Sequence, residues 1–198
     1  MSSLPEAILA HASSLSEGGV LSPKEFLHLA SRAAIDQALS RLSKEGRLLR
    51  VARGTYTVPI FSRFGTRAPA PEKVVAALAA QSGQITVAHG ASAANRLGLT
   101  LQVPIREVFL TSGRTRTLTL GSSDVLLKHA PQWMLALGAG PAGAAVRALA
   151  WLGPSHAVTS LATLRRTLPV GEWQALTSAR GALPSWMAQA IGTEAARG

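Results

Sequence analysis

Seven side chains near the start of the chain have types and spacing that suit a chemical role, namely Arg32, Gln37, Arg41 and Lys44, then Arg50, Arg53 and Tyr56. That role is recognition rather than catalysis. Arginine and lysine neutralise phosphates, and arginine and glutamine also present paired hydrogen-bonding groups to base edges in a major groove. Arg32 and Gln37 are the expected base readers. Arg41, Lys44, Arg50 and Arg53 are expected on phosphates, where charge at roughly the right place suffices. Tyr56 either touches the DNA backbone or closes a small core. Asp36, among these cations, would repel DNA and equally suits an ordinary solvated face.

A helix running into a hairpin is needed to display this set. Ile35, Leu39 and Leu42, with Ala38, recur at helical spacing and make one apolar stripe, which puts Arg32, Asp36, Gln37, Ser40, Arg41 and Lys44 on the other side. Ser31 suits the N-cap, where it would also stand beside DNA, and Gly46 suits the stop. After it, Leu48, Val51, Tyr56 and Val58 predict two short strands joined at Arg53-Gly54, with Arg47 beside Arg50 and Arg53. Upstream, Ser22-Pro23 opens a helix expected to bury Phe26, Leu27 and Leu29, and residues 4–15 predict another, ended by Gly18-Gly19. Three helices and a basic hairpin in residues 1–58 describe a winged helix-turn-helix.

Residues 59–71, PIFSRFGTRAPAP, break both periodicities and predict a linker. Residues 72–198 predict a mixed α+β domain with a helical tail, so the expected fold class is α+β throughout. Its elements are a helix over 72–81, a strand over 85–88, a helix over 91–97 and strands over 108–111, 115–120 and 125–129. Trp133, Trp151, Trp173 and Trp186 in the tail are expected as core anchors.

Twenty Lys and Arg against ten Asp and Glu give a net charge of +10, positive on both sides of residue 68. Such a field favours polyanions, with affinity that falls as salt rises. The absence of cysteine excludes disulfides, thiolate catalysis and cysteine-ligated metals, and the five histidines show no metal spacing. The N-terminal residues lack the pattern of a signal peptide. The longest uncharged apolar run, residues 133–146, is shorter than the ~20 residues of a membrane span. The expectation is a soluble cytoplasmic protein with no membrane partner, metal or cofactor.

Two enzymatic patterns compete. Gly138, Gly140 and Gly143 have the spacing of a dinucleotide-binding turn, but no acid lies between Asp124 and Glu172 to hold the ribose, which leaves Arg165 or Arg166 to accept a 2′-phosphate. A connection between helices accounts for the glycines more simply. Ser92 within Gly90–Ala94, with Asp124 and His129 or His156, follows the order of a hydrolase triad. The pattern's last glycine is alanine here, and too little chain precedes Ser92 for the usual strands, so a capped helix start is the simpler account. The protein is therefore expected not to be an enzyme.

The runs RAAIDQALSRLSKEGRLLRVARGTYTVP, PEKVVAALAA, HGASAANRLGLTLQVP and VFLTSGRTRTL occur in one order, and over about residues 20–130 the chain resembles the AbiEi-like antitoxins of type IV toxin-antitoxin systems. The resemblance implies an N-terminal winged helix that represses its own operon at inverted repeats in double-stranded operator DNA. It implies a C-terminal domain that counteracts a nucleotidyltransferase-like toxin without a stable complex. His89, Asn95, Gln102, Thr111, Arg114 and Arg116 fall in the matching segments and are candidates for an antitoxin or phosphate-binding surface. The loop 112–116 would suit a phosphate and suits an exposed hairpin as well. The alternative is a stand-alone winged-helix repressor whose C-terminal domain senses a ligand or mediates assembly.

Overall fold

The computed structural model describes residues 3–197, a mixed α+β chain. The elements run α1 (Leu4–Ser14), β1 (Val20–Leu21), a 3-10 turn (Pro23–Phe26), α2 (Arg32–Lys44), β2 (Leu49–Ala52), β3 (Thr55–Thr57), β4 (Ile60–Ser62), β5 (Gly65–Arg67) and α3 (Pro71–Ser82). There follow β6 (Thr86–Ala88), α4 (Gly90–Arg96), β7 (Glu107–Thr111), β8 (Arg116–Leu120) and β9 (Ser123–His129). The tail holds α5 (Gln132–Leu135), α6 (Pro141–Leu152), α7 (Ala157–Thr167), α8 (Val170–Ser178) and α9 (Ser185–Ala195). These fold as two compact units, residues 1–84 with 116–126, and residues 85–115 with 127–198.

In the first unit the core is made by the stripes the spacing predicts. Ile35, Ala38, Leu39 and Leu42 of α2 meet Ile8 and Ala12 of α1, together with Leu21, Phe26, Leu48 and Tyr56. Ser31 Oγ accepts the Ala34 N–H at 3.3 Å and so starts α2. Gly46, at φ 71°, ends it, letting the Arg47 and Leu48 amides fold back onto the Leu42 carbonyl. The strands form an antiparallel sheet in the order β1-β3-β2, in which Val20 faces Thr57 and Leu49 faces Thr57 from the other side. β1 is a strand the sequence did not announce, because two residues are too few for a period.

Two expectations change here. Ser22-Pro23 opens a single 3-10 turn rather than a helix, stapled by Glu25 accepting the Ser22 N–H at 2.7 Å. Of its three apolar residues only Phe26 is buried, whereas Leu27 and Leu29 are half exposed. The expected linker is structured in its first part: β4 and β5 pair, with Phe61 opposite Thr66, and Pro59 and Pro69 flank the hairpin rather than breaking it. Prolines at strand ends cost no ladder hydrogen bond, which is why the segment tolerates them. The same unit includes α3, which buries Val74, Val75 and Leu78, and β8 leading into the start of β9, which bury Leu118, Leu120 and Val125.

In the second unit β6 pairs antiparallel with β7, and the end of β9 lies on β7's other side, where the Ala130 amide donates to the Thr111 carbonyl. α4 packs on α6 through Ala93, Ala94, Ala144 and Ala148. Small side chains allow this approach, and Gly90 is required for it: a Cβ there would lie 2.7 Å from Trp151 Cβ and closer still to the Arg147 carbonyl oxygen. α6 is buried from Ala142 through Leu149, and α7, α8 and α9 surround its Val146 and Leu149 with Leu161, Leu164, Leu176, Met187 and Ile191. Trp133, Trp173 and Trp186 pack on this core as expected. Trp151 is the exception, 38% exposed. Among the described residues no helix is long and apolar enough to cross a membrane.

Candidate functional site

Ser31, Arg32, Gln37, Arg41, Lys44, Arg50 and Arg53 are all exposed, on α2, on β2 and at the β2–β3 turn. Asp36, Gln37, Ser40, Arg41 and Lys44 border a shallow depression along the helix. The exposure follows directly from burial of the opposite stripe, since a helix that sinks Ile35, Leu39 and Leu42 must present these residues to solvent. Gly54, at φ 68°, makes the tight turn that holds Arg53 at the tip.

The cations are not equivalent. Arg32 Nε donates to both Asp36 carboxylate oxygens, at 3.0 and 2.9 Å, and Arg41 lies 3.8 Å from Glu45. Among the described residues no ion pair holds Lys44, Arg47, Arg50 or Arg53. These four therefore offer free charge, whereas Arg32 must leave Asp36 to reach anything else. Tyr56 is 5% exposed and sits in the first unit's core, so of its two expected roles it closes the core.

The other candidates do not assemble into one site. Arg116 belongs to the first unit, where its Nη2 donates to Gln84 Oε1 at 3.2 Å. Asn95, Gln102 and Arg114 belong to the second: Asn95 Nδ2 donates to the Thr100 carbonyl at 3.3 Å, and Gln102 and Arg114 are exposed on loops. Thr111 is buried, and its Oγ1 accepts the Gly113 amide at 3.0 Å. The Ser112 amide donates to the Ile85 carbonyl. Two amides of the loop 112–116 are thus already engaged, which favours its reading as a pinned hairpin over a phosphate cradle.

The enzymatic patterns also resolve locally. The glycine run follows the short helix α5 rather than a strand, and a Cβ at Gly143 would lie 2.8 Å from the Leu137 carbonyl oxygen. At the start of α6 the Ala142 amide donates to Glu172 Oε2 at 2.7 Å, so a carboxylate of the chain occupies the position a pyrophosphate would take. Ser92 lies inside α4, whose N-cap is His89: its Nδ1 accepts the Ala91 amide at 3.3 Å. The cap expected at Ser92 is therefore three residues earlier.

His89 opens on a feature that sequence reasoning missed. A cavity of about 390 Å³ in the second unit is lined by His89, Lys128, His129 and Arg147, with Leu110, Met134 and Trp151 as apolar walls, and among the described residues no acidic side chain lines it. Arg147 is 2% exposed. Its Nη1 donates to the Gly138 carbonyl at 2.9 Å and the Met134 carbonyl at 3.2 Å, while its buried Nε has no partner among the described residues. Burial, and then the neighbouring charge of Arg96, push this guanidinium down to about 10, still charged at neutral pH. Burial and then Lys128 hold the His89 imidazole below its ordinary value. The signal was present, because Arg147 is the lone charge in the run PAGAAVRALAWL.

No curated protein and no solved structure matches the chain. Residues 7–164 match the model of a family described as "Family of unknown function (DUF6088)". That match spans most of both units, and the chain belongs to this family.

Proposed function

We propose that the first unit carries a winged helix-turn-helix that binds double-stranded operator DNA, with α2 in the major groove and the β2–β3 hairpin as the wing. The observation that carries the reading is the exposed set Gln37, Lys44, Arg50 and Arg53 on a helix and hairpin whose opposite sides are buried. The element order, helix, short strand, helical turn, helix and two strands, with β1 paired on β3, is that of such domains and supports it further. On this reading the protein is a cytoplasmic, non-enzymatic antitoxin of the AbiEi-like kind. It represses its own operon at inverted repeats and counteracts a nucleotidyltransferase-like toxin without binding it stably. A stand-alone repressor with a ligand-sensing second unit is the competing reading, and the cavity around Arg147 favours it.

Fluorescence anisotropy of the full chain on DNA from its own promoter tests the first half. Binding at least a hundredfold tighter than to scrambled duplex is expected, and equal affinity for both would refute operator recognition. Co-expression with the adjacent gene tests the second half. Restored growth supports the antitoxin, and a neighbour that is not toxic leaves the stand-alone repressor.

A further inference from the structure

The cavity around Arg147 holds cationic groups without a counter-charge. A buried guanidinium is tolerated when paired or fully hydrogen-bonded, and an unpaired buried donor destabilises the fold. Arg147 satisfies neither condition, since two carbonyls take Nη1 and Nε is left over. Lys128 adds a second positive charge to the lining. The two histidines hold opposite tautomers, and only His89 has a ring donor left for the cavity. His129 Nδ1 donates to the Gly113 carbonyl at 2.8 Å, whereas His89 Nδ1 accepts from Ala91, so His89 carries its ring proton on Nε2.

We infer that this cavity binds a small organic phosphate monoester, with Arg147 and Lys128 on the phosphate and Leu110, Met134 and Trp151 against the organic part. A dianion suits the site better than a carboxylate, because two cationic side chains and the His89 ring donor line it and no acid among the described residues does. The volume of about 390 Å³ falls in the range of small-molecule sites and exceeds what bare phosphate fills. Trp151, the one tail tryptophan that does not join the helical core, supplies a flat apolar wall. Gly90 belongs to the same lining and keeps α4 close to the Arg147 backbone. The inference stands apart from the DNA reading, since it uses residues of the second unit only.

The test uses the full chain at constant ionic strength. Calorimetry with adenosine 5′-monophosphate should give saturable binding, inorganic phosphate should compete, and adenosine should bind at least tenfold more weakly. Lys128→Ala, at an exposed side chain, should weaken the monophosphate about tenfold. Arg147→Met should abolish binding of the monophosphate; because it also frees the Gly138 and Met134 carbonyls, its far-ultraviolet circular dichroism must match that of the parent for the loss to count. Binding that survives both substitutions, equal binding of adenosine, or no heat with any phosphate would overturn the inference. Tighter binding of a 5′-phosphorylated oligonucleotide than of the mononucleotide would overturn the assignment to a free small molecule.

Discussion

At the scale of single residues, ion pairing ranks the exposed cations proposed to face DNA. Lys44 is unpaired, so Lys44→Ala should weaken binding to all duplexes alike and reduce the slope of log affinity against log salt by about one. Arg32 is tied to Asp36 at the helix surface, an exposed pair of the kind that contributes little stability. If Arg32 exchanges Asp36 for a base, Arg32→Ala should cost about 1–3 kcal/mol on the operator alone. Asp36→Ala should raise affinity for every sequence by removing a carboxylate from the face. Titrations against operator and scrambled duplex distinguish these outcomes, and an Arg32→Ala variant with unchanged specificity would remove Arg32 from base reading. In the second unit His89 makes stability depend on pH. Its folded pKa lies below the unfolded value of 6.5, so both states are neutral above that pH. As pH falls through 6.5 the unfolded chain takes the proton first, and stability declines until the folded value is passed. His89→Asn keeps an N-capping side chain and removes the titration, so its thermal midpoint should fall less between pH 7.5 and 5.5 than that of the parent.

At the scale of elements, the closeness of helices depends on which glycines face neighbours. Gly90→Ala pushes a methyl into the α6 backbone at Arg147 and should destabilise by about 1–3 kcal/mol. Gly171, inside α8, provides the contrast, because a Cβ added there would meet nothing within 4 Å. Gly171→Ala should stabilise by about 0.4–1 kcal/mol, because alanine loses less backbone freedom in a helix. Urea unfolding of the two variants checks the pair, and equal effects would mean that packing at Gly90 is looser than its distances indicate.

At the scale of the whole molecule, the units are not consecutive stretches of chain. Residues 116–126 return to the first unit, where β8 packs along β2. A fragment ending at residue 84 keeps α1, α2 and the β1-β3-β2 sheet but loses β8 with its buried Leu118 and Leu120. It should therefore unfold at a lower temperature than the intact chain and expose apolar surface to a hydrophobic dye. A fragment as stable as the full protein would show residues 1–84 to be self-sufficient. On the proposed DNA-binding reading such fragments would underestimate the intact protein for the same reason, so substitutions in the full chain are the sounder probe.

Local signals and distant packing divided the molecule between them. The α2 stripe, its Ser31 cap, the Gly46 stop and the Arg53-Gly54 turn are properties of a few adjacent residues, and the exposed cations follow from them by helical geometry alone. The strands over 108–129 were equally legible from period and punctuation, whereas the tail was legible only as helical, without the bounds of its separate helices. Burial of Tyr56, exposure of Leu27, Leu29 and Trp151, and the engagement of the Ser112 amide by Ile85 depend on partners far along the chain, which no local pattern encodes. The β4–β5 hairpin was hidden because proline and glycine mark linkers and strand ends alike. Arg147 shows the division best: sequence placed one charge in an apolar helix, but only the fold brought Lys128, His89 and His129 to it and left its Nε without a partner. Electrostatics acts through space, so a cationic cavity is written by tertiary contacts rather than by spacing.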